Sequence, residues 1–126
     1  MQNNLLGLYA KEEKILNVKF TTRARSLIVS VSGEIDQHKA SHLREQIDLR
    51  ITHANIKNLV FDFSKLEFMD SSGIGVIIGR YKLMRAMGGT VQIVANNHSV
   101  KKILELSGIR KIIAIYETLS DAMKTA

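Results

Sequence analysis

The sequence predicts an α/β fold: one domain built on a mostly parallel sheet with helices packed against it. Three observations carry this expectation. Short apolar runs with strand propensity recur at Leu27 to Ser32, Ile56 to Phe63, Thr90 to Ala95 and Ile112 to Tyr116. Stretches with apolar residues at three- and four-residue steps separate them. Two strands precede the first helix, so a β-hairpin opens the order ββαβαβαβα, with about four helices.

Taken in order, residues 1 to 13 have no clear period and read as an N-terminal extension, leaving 14 to 126 as the domain. Ile15 to Phe20 alternates imperfectly and reads as a strand. Thr21 to Ser26 is polar and reads as the hairpin loop. Leu27, Val29 and Val31 alternate cleanly, and Gly33-Glu34-Ile35-Asp36 ends that strand. Asp36 suits a helix N-cap; Ala40, Leu43, Ile47, Ile51 and Ala54 then mark one helical face that Asn55 can close. Ile56 to Phe63 is the central strand, and Ser64 to Glu67 reads as a polar turn. A helix follows from Ser71 to Met87, with Ile74, Ile77, Ile78 and Tyr81 on one stripe and Gly88-Gly89 as its stop. After the strand at Thr90, Asn96-Asn97 starts another helix bearing Val100, Ile103 and Leu104, which Gly108 stops. Thr118-Leu-Ser-Asp121 has capping-box spacing before a final short helix.

Composition narrows the function classes. The chain has 126 residues, enough for one domain with one core. There is no Cys, so thiolate chemistry and disulfides are excluded. No apolar run approaches the length of a membrane span, and the N-terminus lacks a signal-peptide pattern; a cytoplasmic protein with no membrane partner is expected. The formal charge is +6, with Arg80, Lys82 and Arg85 in the second half unopposed by nearby acids. Basic residues do not interleave with aromatic ones, so the excess reads as a solvated helix face and no direct nucleic-acid binding is expected.

Several motifs bear on chemistry. His38 and His42 share a helix face, but no third ligand accompanies them and no metal site is expected. A serine nucleophile needs a base, and none of His38, His42, His53 and His98 is tied by sequence to Asp70-Ser71-Ser72-Gly73; Gly-x-Ser-x-Gly is absent. Gly73-x-Gly75-x-x-x-Gly79 misses the dinucleotide fingerprint by one residue, and no phosphate-loop Lys follows; Gly75 and Gly79 read as sites of close helix approach. Met84 and Met87 read as core or edge gap-fillers. The two adjacent serines allow a division of labour at the helix N-terminus, with one capping and one exposed. An exposed hydroxyl there suits phosphorylation, which would add nearly two negative charges without disturbing the fold.

Gly33-Glu34-Ile35-Asp36, Phe68-Met69-Asp70-Ser71-Ser72-Gly73-Ile74-Gly75, Gly79-Arg80-Tyr81-Lys82 and Ser107-Gly108 resemble the anti-sigma-factor antagonists, which carry the STAS domain (sulfate transporter and anti-sigma antagonist). The likeness covers residues 14 to 126 and is greatest to sporulation sigma-F antagonists. It implies a phosphorylation-controlled partner switch in a protein that is not an enzyme and holds no cofactor. The unphosphorylated form would bind an anti-sigma factor that is also an ATP-dependent serine kinase, freeing the sigma factor. Phosphorylation, implied at Ser71, would release it, and a metal-dependent serine phosphatase would reset the switch. Asp36, Asp70, Ser72 and Gly75 are the implied partner-binding residues. Another STAS signalling role, as a stress scaffold or transporter-associated regulator, and a small nucleotide-binding protein are the alternatives.

Overall fold

The computed structural model describes residues 16–126. The N-terminal extension expected from the sequence lies outside them. Five strands form one sheet in chain order, β1 (Leu16–Arg23), β2 (Ser26–Ile35), β3 (Asn58–Met69), β4 (Thr90–Val94) and β5 (Ala114–Tyr116). β1 runs antiparallel to β2; the other pairings are parallel. Each parallel step needs a crossover helix. These are α1 (Gln37–His53), α2 (Ser71–Ala86) and α3 (His98–Ser107), the last followed by a 3-10 turn, Ile109–Lys111. A short α4 (Leu119–Lys124) ends the chain.

Helices α1, α2 and α3 cover one face of the sheet. Leu43, Ile47 and Ile51 of α1, Ile77 and Met84 of α2 and Val100 and Leu104 of α3 pack there on Val29, Phe61, Phe63 and Ile93. A smaller cluster on the other face joins Ile28, Val60 and Val94 to Ala122 of α4. The central strands are therefore apolar on both faces, as buried parallel strands are. A strand order that never reverses, with same-handed crossovers, puts α1, α2 and α3 on one side and all the helix N-termini at one end.

Three expectations need correction. Thr21 to Ser26 is not a loop: Thr21, Thr22 and Arg23 pair with Ile28, Leu27 and Ser26, leaving a turn of Ala24 and Arg25. Ala24 takes the left-handed conformation that tight turns need. Ser64 to Glu67 is not a turn: β3 runs on to Met69, because Lys65, Leu66, Phe68 and Met69 find partners in Ser32, Gly33, Glu34 and Ile35. That pairing requires two register shifts, each with the extra residue in β3; one falls opposite Gly33 and Glu34, and Gly33 has a φ of +94°. The last strand is shorter than read, since the 3-10 turn precedes it.

Candidate functional site

The end of the sheet that gathers the helix N-termini carries the candidate site. β2 delivers Asp36 to the start of α1, and β3 delivers Asp70 to the start of α2. Asp70 N hydrogen-bonds Ile35 O at 3.1 Å, which ties the two strand ends together. Each aspartate caps its helix. The Asp36 carboxylate accepts from Lys39 N at 2.9 Å, and Asp70 accepts from Ser72 N at 2.8 Å. The Asp70 carboxylate also accepts a hydrogen bond from the Ser72 hydroxyl. The cap of α2 is therefore Asp70, not a serine as expected. The aspartate precedes the first helical residue and already faces the orphan N–H groups, so Ser72 serves as a donor to it.

That arrangement separates the two serines. Ser72 is partly buried and engaged with Asp70, whereas Ser71, at the first position of α2, is exposed. Half of the division of labour read from the sequence holds: Ser71 is the exposed hydroxyl, while Ser72 donates to the cap and does not form it.

Between α1 and α2 lies an open groove of about 940 Å³. Asp36, Gln37, His38, Ala40, Ser41 and Arg44 line one wall; Asp70, Ser72, Gly75 and Val76 line the other. The four expected partner-binding residues, Asp36, Asp70, Ser72 and Gly75, thus meet in one feature although 39 positions separate the first from the last. Ser41 and Arg44 were not singled out from the sequence. Their spacing from Asp36 and Gln37 on one helix face was the available signal.

The glycines differ from expectation. An added Cβ at Gly75 or Gly79 would meet nothing within 4 Å, so neither mediates close packing inside the chain. The tight one in this helix is Gly73, whose Cβ would lie 2.8 Å from Met69 Sδ. Gly75 is exposed and leaves bare backbone on the groove wall.

The groove ends where α1 and α2 are joined by charge. Arg80 is only 9% exposed, and its Nε lies 2.9 Å from Asp48 Oδ1. Neither atom makes an aligned hydrogen bond, so the contact is an ion pair with its N–H off axis. Burial pulls the Arg80 guanidinium below the usual arginine range; Asp48 opposes that pull and Arg44 adds to it. At Asp36 the N–H of Lys39 holds the carboxyl below the ordinary carboxylate value, with the Lys39 charge adding to it.

His38 lines the groove, but Ser72 gives its hydroxyl to Asp70 and not to an imidazole. Among the described residues no three metal-ligating side chains converge, and no helix is long and apolar enough to cross a membrane.

The STAS domain family model matches residues 16–122. An anti-sigma F factor antagonist from Paenibacillus polymyxa is 41% identical over 97 residues, spanning 77% of this chain and 83% of that one. A crystal structure of an anti-sigma factor antagonist from Mycobacterium paratuberculosis superimposes with a TM-score of 0.80 at 28% identity, covering 87% of this chain and 92% of that one. The Bacillus cell fate determinant SpoIIAA, solved in its phosphorylated form, shares the fold, with a TM-score of 0.69 at 24% identity over 86% of this chain and 98% of that one. With the aspartate-capped helices and the sheet order in place, the chain belongs to the STAS domain family.

Proposed function

We propose that this protein is an anti-sigma-factor antagonist whose docking surface is the end of the sheet around the α1–α2 groove. The single observation that carries the reading is the exposed Ser71 at the first turn of α2, beside a groove that gathers Asp36, Asp70, Ser72 and Gly75. The identity to the Paenibacillus polymyxa antagonist supports an anti-sigma factor as the partner. The finer reading is that this anti-sigma factor is also the ATP-dependent kinase that phosphorylates Ser71, and that a metal-dependent phosphatase removes the phosphate.

The physics of such a switch follows from the site. A phosphate on Ser71 carries nearly two negative charges. The N-terminus of α2 stabilises them by only about 0.3–1 kcal/mol when exposed. A docked partner would have to cover this charge beside the carboxylates of Asp70 and Asp36. Repulsion and desolvation of that kind amount to several kcal/mol. A loss of about 4 kcal/mol weakens binding about a thousandfold. The fold is spared because Ser71 makes neither the cap nor the core.

Incubation with the anti-sigma kinase and ATP, followed by phosphopeptide mapping, should place one phosphate on Ser71. Full labelling of Ser71→Ala would overturn the assignment.

A further inference from the structure

The end of the molecule opposite Ser71 has a character of its own. Arg23 ends β1 and Arg25 lies in the β1–β2 turn, Lys57 precedes β3, Arg85 lies in the last turn of α2, and Arg110 and Lys111 sit in the 3-10 turn before β5. The backbone binds these segments together: Lys57 N donates to Arg25 O at 2.8 Å, and Thr90 N donates to Lys57 O at 2.9 Å. Lys57 Nζ reaches Met87 O at 3.3 Å. Among the described residues only Arg110 of these six is in an ion pair, a loose one of 4.0 Å with Glu105. Helix C-termini attract cations, which accounts for Arg85 and Lys57. It does not account for Arg23 and Arg25, which belong to a hairpin, or for Lys111.

The second observation is independent of charge. Of the five large apolar side chains exposed among the described residues, four belong to this end: Leu49, Met87, Leu106 at 79% and Ile112 at 48%. They lie near or just past the C-termini of α1, α2 and α3. Exposed aliphatic side chains set among unpaired cations form the composition of an interfacial contact with anionic lipid. A single-stranded nucleic-acid surface would favour aromatic stacking, and the one exposed aromatic among the described residues, Phe68, is at the other end, on β3; a duplex would meet the cations through its phosphates and leave the aliphatic side chains without a partner.

We infer that this basic, apolar-studded end is a docking face for an anionic membrane surface, reversible and distinct from the Ser71 edge. In that pose the cations meet phosphate headgroups, the aliphatic side chains enter the boundary, and the Ser71 edge points away from the bilayer. The linear sequence hid this, because the cations lie on four separate segments.

Sedimentation of the full chain with sucrose-loaded vesicles tests it. Vesicles with about one-third phosphatidylglycerol should bind the protein at about 50 mM salt and release most of it at about 500 mM, where screening is short-ranged. Pure phosphatidylcholine vesicles should not bind. Arg110→Glu with Lys111→Glu should weaken binding at least about tenfold, and Leu106→Ser with Ile112→Ser should weaken it while the circular dichroism spectrum stays unchanged. Ser71→Ala should bind like the wild type. No sedimentation with the anionic vesicles at low salt, unchanged binding by the charge-reversed protein, or tighter binding to duplex DNA than to these vesicles would overturn the inference.

Discussion

Removing the Asp70 carboxylate should destabilise the protein far more than removing the hydroxyl of Ser71, the next residue. Asp70→Ala deletes the acceptor of Ser72 N and of the Ser72 hydroxyl. Loss of an N-cap costs about 1 kcal/mol, and loss of a partly buried side-chain hydrogen bond costs about another 1 kcal/mol. The sum is about 2 kcal/mol. With a urea slope of about 1.5 kcal/mol/M, the midpoint should fall by about 1.3 M with the slope unchanged. Asp70→Asn keeps a capping oxygen and should lose under about 0.5 kcal/mol. Ser71→Ala, at an exposed position outside the cap, should stay within about 0.5 kcal/mol of the wild type. The chain contains no Trp, so far-ultraviolet circular dichroism is the suitable probe. Equal losses in Asp70→Ala and Ser71→Ala would refute the assignment of the cap, and with it the claim that Ser71 is free for modification.

Other outcomes follow from the same geometry. Gly75→Ala should stabilise the isolated domain by about 0.5–1 kcal/mol, because a helical Ala replaces a Gly whose Cβ meets nothing; thermal melting reads this, while affinity for the anti-sigma factor should drop. Gly89→Ala should destabilise, since its Cβ would fall 2.5 Å from Lys57 O. Breaking the Arg80–Asp48 pair should be asymmetric in urea titrations. Asp48→Ala strands a guanidinium only 11% exposed, whereas Arg80→Met leaves a carboxylate 39% exposed that water can reach, so the first change should cost more. Asp36 is lower in pKa when folded, so its capping contribution is complete above the unfolded carboxylate pKa of about 3.9 and is lost as pH falls through the lower folded value. The melting-temperature gap between wild type and Asp36→Asn should therefore change only below about pH 4.

Much of the fold was legible because local signals agreed with it. Asp36, Asn97 and Thr118 cap their helices as their spacing predicts, and Gly108 closes α3 in the left-handed conformation. Asn55 follows α1 with a positive φ, as a helix stop should. What was missed depends on partners distant in the chain. Ser64 to Glu67 has poor strand propensity, yet pairing with β2 holds it extended. The choice of Asp70 over a serine as cap depends on where β3 ends, and β3 ends late. The solvated-face reading fails for Arg80, which shares the phase of Ile77 and Met84 and is buried. Its partner Asp48 was not visible in the sequence, because nothing local couples α1 to α2. The candidate site residues came as a set from the family resemblance, since the Asp-Ser-Ser-Gly junction holds Asp70 and Ser72 but neither Asp36 nor Gly75. Their convergence on one groove required the parallel β2–β3 pairing that aligns two helix N-termini.

The most direct measurement is a calorimetric titration of the anti-sigma factor with this protein, unmodified and stoichiometrically phosphorylated on Ser71. Stoichiometric binding by the first and a loss of affinity of about a thousandfold in the second, with indistinguishable circular dichroism spectra, is the predicted result. Equal affinity for both forms, or loss of binding accompanied by unfolding, would contradict a charge gate at the mouth of α2.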